Sequence, residues 1–130
     1  MIYSLLVLSS PCSGQTSATA AKFAVSVLAR GHSIHRVFFL DDGVFAGASS
    51  LVLPQDESST VERWVELHDR HSIDLVLCVS SALKRGLVDS AEAKRYELES
   101  ATAHPAFEIS GMGQLVDTCN DCDRLITFGG

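Results

Sequence analysis

The stretch IDLVLCVSS, residues 73–81, carries the strongest fold signal in this chain of 130 residues. Its first seven residues are apolar apart from one aspartate, which is typical of a strand buried on both faces of a parallel sheet. We therefore predict a strand over Ile73–Val79, and its composition favours the centre of the sheet. Cys78 falls at the carboxyl end of this strand, the edge where functional sites gather in parallel sheets.

Similar apolar runs lie on both sides of this stretch, and helical patterns separate them. The other predicted strands are Ile2–Leu8, Ser33–Leu40, Ala106–Ser110 and Arg124–Phe128. The predicted helices are Gln15–Arg30, Ser59 to about Arg70, Ser80–Arg85, Asp89 to about Ser100, and Gly111–Cys119. Strands that alternate with helices indicate an α/β fold, here a three-layer α/β/α sandwich with a mainly parallel sheet and right-handed crossovers. The length fits a single domain over residues 1–130.

Several turn and cap signals set the boundaries of these elements. Gly31 follows the first helix, where a left-handed cap is expected. Asp41-Asp42-Gly43 ends the second strand, which predicts a turn. A loop or short helical turn is expected over Gly43–Leu53, with Phe45 exposed as a piece of an interface. Pro54–Ser58 is polar and is predicted to be a surface loop.

Two later helices begin with the pattern of a capping box, in which the side chain of each of two residues accepts a hydrogen bond from the backbone N–H of the other. These pairs are Ser59 with Glu62, and Asp89 with Glu92. In the last helix three apolar residues are expected to point inward: Met112, Leu115 and Val116.

Composition excludes several classes of function. Hydrophobic residues make up 46% of the chain and charged residues 20%, as in a folded globular protein. Ten Lys and Arg against sixteen Asp and Glu give a formal charge of -6, so we expect no direct nucleic-acid binding and favour a basic protein partner. No segment reaches the roughly 18–20 apolar residues that span a bilayer, so no membrane association is expected. The N-terminus lacks the basic start of a signal peptide, which predicts a cytoplasmic protein.

Four cysteines are present, and a cytoplasmic location predicts free thiols. Cys78 precedes a helix N-terminus, where free N–H groups and the helix dipole stabilise a thiolate and lower its pKa. Lys84 and Arg85 follow within the next turn as possible sources of positive potential. The alternative is that Cys78 is a small apolar side chain of the core, a common place for a free cysteine.

The other cysteines give weaker signals. Cys119 and Cys122 form a Cys-x-x-Cys pair, but a structural zinc site needs four ligands and no second pair is present. A thioredoxin-like pair should open a helix, whereas this one closes a helix before a strand, so a chance pair is the best account. Cys12 lies in the loop Ser9–Gly14, which is expected to face the same surface as Cys78. That loop lacks the residues of a phosphate loop and is interpreted as a turn.

Histidines and paired aspartates complete the candidates. The histidine pairs have a three-residue spacing, without an acidic partner to make a metal motif. They are His32 with His35, and His68 with His71. His68 and His71 are expected to favour a helix end by the dipole. Asp41-Asp42 suits acid/base work or magnesium in principle, but the glycine after it favours a turn.

Taken together, the residues resemble the TusD/DsrE family of bacterial sulfur-relay proteins over nearly the whole chain. The block Cys78–Asp89 is the most specific part of the resemblance. Its other parts are the apolar first strand with its Pro-containing loop, Arg30-Gly31-His32, Val37-Phe38-Phe39, Gly43-Val44, Trp64, Glu92-Ala93, Phe107–Leu115 and Cys122–Leu125. Two features depart from the family: the Ser-Ser start of the first loop with its Cys12, and Cys119.

The resemblance implies a DsrE-like fold and a sulfurtransferase, with no cofactor or metal. Cys78 would be the catalytic residue, which accepts sulfur as a persulfide and hands it on. The implied partners are two homologous small subunits (TusB/TusC-like) in a heterohexamer, a TusA-like sulfur donor and a TusE/DsrC-like acceptor. The sulfur would reach the 2-thio group of wobble uridine in tRNA or, in the other branch of the family, serve dissimilatory sulfur oxidation.

Two other hypotheses stay open beside the sulfurtransferase. In the first, the chain is a non-catalytic scaffold subunit of the same kind of hexamer. In the second, it is a flavodoxin-like binder of a nucleotide or flavin. The cysteine block disfavours the scaffold, and the absence of a phosphate-loop motif disfavours the nucleotide binder. The sequence fits both branches of sulfur metabolism equally.

Overall fold

A five-stranded parallel sheet forms the centre of the computed structural model, which describes residues 1–54 and 59–129. The strands are β1 (Ile2–Val7), β2 (Ser33–Phe39), β3 (Asp74–Cys78), β4 (Phe107–Ser110) and β5 (Arg124–Phe128). They lie in the order β4-β3-β2-β1-β5, and all four neighbouring pairs are parallel. Of the predicted surface loop Pro54–Ser58, only exposed Pro54 is described, and residues 55–58 lie outside the described part.

Helices connect the strands. They are α1 (Thr16–Ala29), α2 (Thr60–His71), α3 (Val79–Lys84), α4 (Ser90–Arg95) and α5 (Gly113–Asn120), with a 3-10 helix at Asp41–Gly47. The α/β class predicted from the alternation of apolar runs is confirmed. Among the described residues, no helix combines the length and the apolar character needed to cross a membrane.

The two faces of the sheet are covered by different helices. Leu75 and Leu77 of β3 join the larger core, which also contains the buried residues of α1 and α2. Val76 and Cys78 point to the opposite face, where Leu115 of α5 packs against them. The alternation of side chains along a strand produces this division, and it places Cys78 under α5.

The position predicted for β3 is wrong, because β2 occupies the middle of the sheet and β3 is next to the edge. Composition cannot separate these positions, since any strand with neighbours on both sides and helices on both faces is equally apolar. In β2, Phe38 and Phe39 are both fully buried on opposite faces.

The segment after β2 folds into the 3-10 helix Asp41–Gly47, so of the two predicted alternatives, a loop or a short helical turn, the structure has the helical one over its first part. Gly43 allows this helix to pack closely on β1. Any residue with a Cβ at this position would collide with the carbonyl oxygen of Val7. Phe45 was expected to be exposed, and this is wrong: its ring is half-buried against the larger core. The 3-10 geometry turns it toward the sheet.

Helix ends follow the cap rules, with one error in length. Gly31 has φ +85° and ends α1 as predicted. Helix α4 was expected to continue to about Ser100, but it ends at Arg95 because Glu97 adopts a left-handed conformation with φ 59°. The Leu98 N–H then donates to the Ala93 carbonyl, as in a Schellman cap without glycine.

The capping-box prediction holds for the side chains that come first in each pair. The Ser59 hydroxyl accepts from the Glu62 N–H at 3.2 Å, and the Asp89 carboxylate accepts from the Glu92 N–H at 2.8 Å. Each satisfies a free donor in the first turn of its helix.

Candidate functional site

Cys78 ends β3 and is the N-cap residue of α3. Its backbone pairs with Ser110 of β4. The residue is only 1% exposed, and it packs with Phe38 and Val76 on the face covered by α5. The thiol therefore sits at the carboxyl edge of the sheet, as predicted, but under a layer of side chains.

Opposing effects act on the pKa of Cys78. Burial is the largest and raises the pKa, because it disfavours the charged thiolate. Hydrogen bonds from the hydroxyl and backbone N–H groups of Ser80 and Ser81 together outweigh it, so the net pKa is lowered. The Ser80 hydroxyl lies 3.4 Å from the sulfur. The site thus favours a nucleophilic thiolate.

The source of this stabilisation differs from the sequence-based expectation. Helix α3 has only six residues, and the groups that lower the pKa are the two serines, not the charges that follow. Arg85 turns away to Asp42, with 2.9 Å between Nε and Oδ1, and donates a second bond to the Ser81 carbonyl. Lys84 is exposed and does not contribute to the lowered pKa of Cys78.

Met112 lies over the thiol, at the start of α5. Its Sδ is 3.9 Å from Sγ of Cys78, while the residue itself is 50% exposed. The prediction that three residues of this helix point inward is correct for half-buried Leu115 and wrong for Val116, which is 59% exposed. For Met112 the prediction is correct in part, since its sulfur contacts the thiol while much of its side chain is exposed to solvent. In the sequence Met112 lies between two glycines, but no local pattern links it to the thiol of Cys78.

Arg36 fastens α5 to the sheet. A bulge in β2 makes His35 an extra residue, because Tyr3 pairs with Ile34 and Ser4 with Arg36. The Arg36 side chain is 11% exposed and donates to the Gln114 carbonyl at 3.1 Å and the Thr118 hydroxyl at 3.2 Å. It also donates to Asp74 at 3.2 Å. No local pattern in the sequence indicates this anchor, which holds the helix that covers Cys78.

The other cysteines do not join this site. Cys12 is exposed and lines a groove of about 410 Å³ with residues of α1 and α2. The expectation that Cys12 faces the same surface as Cys78 is therefore wrong, because Cys78 packs on the α5 face. Cys119 and Cys122 lie at the end of α5 and before β5, in the predicted order. Cys122 donates weakly to the Cys119 carbonyl at 3.8 Å.

The remaining candidates have structural partners. Asp41 and Asp42 do not act as a pair, since the Asp41 N–H donates to the Ser81 hydroxyl and the Asp42 carboxylate binds Arg85. His68 bonds the Ile73 carbonyl at 2.7 Å instead of the last carbonyls of α2. Within residues 1–54 and 59–129, no group of three His, Cys, Asp or Glu side chains is arranged to hold a metal.

Comparison with known proteins adds independent information. The model of the DsrE/DsrF-like family matches residues 1–128. The chain is 42% identical to the protein DsrE of Allochromatium vinosum, over 99% of both chains. It is 40% identical to a sulfurtransferase TusD homolog of Pseudomonas aeruginosa over 85% of both, and 36% identical to sulfurtransferase TusD of Cronobacter sakazakii over 98% of this chain and all of the other.

A solved structure shows the same fold at low sequence similarity. The ychN protein from E. coli superposes with a TM-score of 0.78, at 15% identity, over 98% of this chain and 99% of the other. At this identity the likeness concerns the fold alone.

Proposed function

The chain belongs to the DsrE/DsrF-like family, and from this we propose that it is a sulfurtransferase subunit that carries sulfur as a persulfide on Cys78. Relatives that match this chain over nearly their full length are named sulfurtransferases, which supports the activity. The observation that carries the choice of residue is the lowered pKa of Cys78, held by Ser80 and Ser81 at the carboxyl edge of the sheet.

The transfer is an exchange between sulfur atoms with no net oxidation. The Cys78 thiolate attacks the outer sulfur of a donor persulfide, R–S–SH. A bond forms between Sγ and that sulfur, the S–S bond of the donor breaks, and the electron pair leaves on the donor as R–S⁻. The proton stays on the transferred sulfur until the new persulfide ionises. The reverse attack, by an acceptor thiolate on the outer sulfur, regenerates Cys78.

The partners belong to the same proposal. We place the chain in a heterohexamer with two homologous TusB/TusC-like subunits, loaded by a TusA-like donor and unloaded by a TusE/DsrC-like acceptor, with tRNA 2-thiolation as the destination of the sulfur. The formal charge of -6 suits contacts with proteins rather than with tRNA itself. The reduced thiol that this chemistry needs is supplied by a cytoplasmic location. Dissimilatory sulfur oxidation, the other branch that the resemblance to the TusD/DsrE family implies, is the alternative destination.

One observation favours a second candidate, a non-catalytic scaffold subunit of the same kind of assembly. Cys78 is 1% exposed, as an inert core cysteine would be. The hydrogen bonds of Ser80 and Ser81 speak against it, because an inert apolar site has no need of donors that stabilise a thiolate.

The experiment that separates the two is intact-mass spectrometry after incubation with a small persulfide donor. Wild type, Cys78→Ser and Cys12→Ser are compared before and after reductant. A carrier gains one reducible sulfur that Cys78→Ser loses and Cys12→Ser keeps. A scaffold gains no sulfur on Cys78, either alone or in complex with its homologous subunits.

A further inference from the structure

The resting thiol of Cys78 has two exposed neighbours at its sulfur, Ser80 and Met112. The Ser80 hydroxyl lies 3.4 Å away and the Met112 sulfur 3.9 Å away, and both residues reach the surface. Of the other side chains in this cluster, Phe38 and Val76 are fully buried, and Leu6, Leu40 and Leu115 are half-buried. Ser80 and Met112 are the exposed residues of this cluster whose side-chain atoms contact Sγ, so a reagent from solvent reaches the sulfur most directly past one of them.

Only Met112 can move aside without harm to the thiolate. Displacement of Ser80 breaks a hydrogen bond that lowers the pKa of Cys78, whereas Met112 offers the thiol only a weak sulfur contact. The Met112 side chain has several rotatable bonds, and Gly111 and Gly113 beside it present no side chains to confine it. Apart from their chain neighbours and the backbone of α5, no atom lies within 4 Å of where a Cβ would stand on either glycine.

The backbone under Met112 is fixed, so the movement belongs to the side chain. The Met112 carbonyl accepts from the Leu115 N–H at 3.0 Å, and the Gly111 carbonyl accepts from the Gln114 N–H at 3.1 Å. Arg36 binds the Gln114 carbonyl from the sheet. These bonds hold the first turn of α5 in place while the thioether changes rotamer.

A persulfide on Cys78 needs the space that Met112 covers. The added sulfur stands about 2 Å beyond Sγ, and it must point outward to meet a second protein. With the Met112 sulfur at 3.9 Å, both sulfurs do not fit along that line.

We infer that Met112 is a positioning residue that gates Cys78. Its side chain covers the resting thiol, swings out to admit sulfur, and lets small reagents reach the thiol more readily than bulky ones. The inference rests on the proposed function for its biological meaning, but access to Cys78 is measurable without any sulfur donor.

The test is the rate of alkylation of each cysteine in the intact chain, followed by peptide mass spectrometry. Iodoacetamide serves as the small reagent and a biotin-linked maleimide as the bulky one. The variants are Met112→Ala, which removes the cover, and Met112→Leu, which keeps its volume. Val116→Ala is the matched control, since Val116 is similarly exposed on the same helix. Circular dichroism and thermal unfolding check that all variants are folded.

We expect Met112→Ala to speed alkylation of Cys78 about tenfold or more, because a covered state opens only about 0.1–10% of the time. The bulky reagent gains more than the small one, so the size selectivity of wild type disappears. Met112→Leu and Val116→Ala stay within about twofold of wild type, as do the rates at Cys12 and Cys119 in every variant.

Equal rates at Cys78 in wild type and a folded Met112→Ala variant, with both reagents, overturn the gate. A general rise at all four cysteines also overturns it, since that indicates loosening of the fold. The proposed function is judged separately by persulfide uptake. If Cys78 takes up sulfur but is alkylated equally fast in wild type and Met112→Ala, only the gate is refuted. Faster alkylation in Met112→Ala with no persulfide on Cys78 in any variant or assembly sinks the sulfur carrier alone.

Discussion

The hydroxyl oxygen of Ser80 lies 3.4 Å from the sulfur of Cys78, at the junction between β3 and α3. This contact joins the end of a buried strand to the first turn of the next helix. It allows a nearly inaccessible thiol to favour its charged form, because specific donors offset the cost of burial. Ser81 contributes from the following position, and its hydroxyl also accepts from the Asp41 N–H.

The pH dependence of Cys78 reactivity follows from this contact. Because the pKa of Cys78 is lowered, its alkylation rate should reach half of its maximum at a lower pH than the alkylation rate of an ordinary cysteine does. Ser80→Ala removes a donor to the thiolate and should move that midpoint upward. Ser26→Ala, an exposed serine of α1, is the control and should leave the midpoint unchanged. The profile is recorded with iodoacetamide and peptide mass spectrometry.

The same shift has a consequence for stability, with a fixed sign. A folded-state pKa below the unfolded value stabilises the native chain above the ordinary thiol pKa, and this contribution is lost as the pH falls through the lowered value. In the alkylation profile, a midpoint for Cys78 that equals or exceeds the midpoint of an unfolded peptide, and that Ser80→Ala does not change, would refute the role of Ser80.

Much of the fold is predictable from local sequence. The strand runs, Gly31 and the caps at Ser59 and Asp89 depend on neighbours within a few residues, and the structure confirms them. The order of strands in the sheet depends on packing between distant segments, and α4 ends at a left-handed Glu97 where the sequence lacks the glycine that usually marks such a cap. For that reason β3 was placed at the centre and the left-handed turn at Glu97 was not anticipated.

A second prediction concerns Arg36, which holds α5 to the sheet. Arg36→Met leaves the Thr118 hydroxyl and the Gln114 carbonyl without this donor and should cost about 2 kcal/mol of unfolding free energy. Arg70→Met is the control, because Arg70 pairs with Glu66 on the exposed side of α2, and its cost should stay below about 0.5 kcal/mol. Urea denaturation followed by circular dichroism measures both values. Equal losses in the two variants would contradict the anchor.

A third prediction concerns Gly43, where the 3-10 helix approaches β1. Gly43→Ala forces a Cβ against the Val7 carbonyl and should destabilise the chain by about 1–3 kcal/mol. Gly113→Ala is the matched control, since nothing lies within 4 Å of its Cβ position. Placed in α5, alanine there should leave stability unchanged or raise it by up to about 1 kcal/mol. Thermal unfolding of both variants decides, and a Gly43→Ala variant as stable as wild type would show that the backbone yields.

The candidate site shows the same division between local and distant information. Cys78 at the strand end and the two serines after it are visible in nine consecutive residues. The resemblance to the TusD/DsrE family, also visible in the sequence, is confirmed by the family match. Met112 and Arg36 come from segments 34 and 42 residues away from Cys78, and no periodicity in the chain joins them to the thiol. Only the docking of α5 on the sheet brings these groups together.

The most direct test of the account is to map the persulfide among the four cysteines. The chain is loaded with a persulfide donor, trapped with an alkylating reagent and digested, and the sulfur on each peptide is quantified. We predict that the added sulfur is found on the Cys78 peptide, and that Cys78→Ser takes up none on the remaining three. Sulfur on Cys12 or on the Cys119/Cys122 peptide, with Cys78 unmodified and the Cys78→Ser variant fully loaded, would contradict the account.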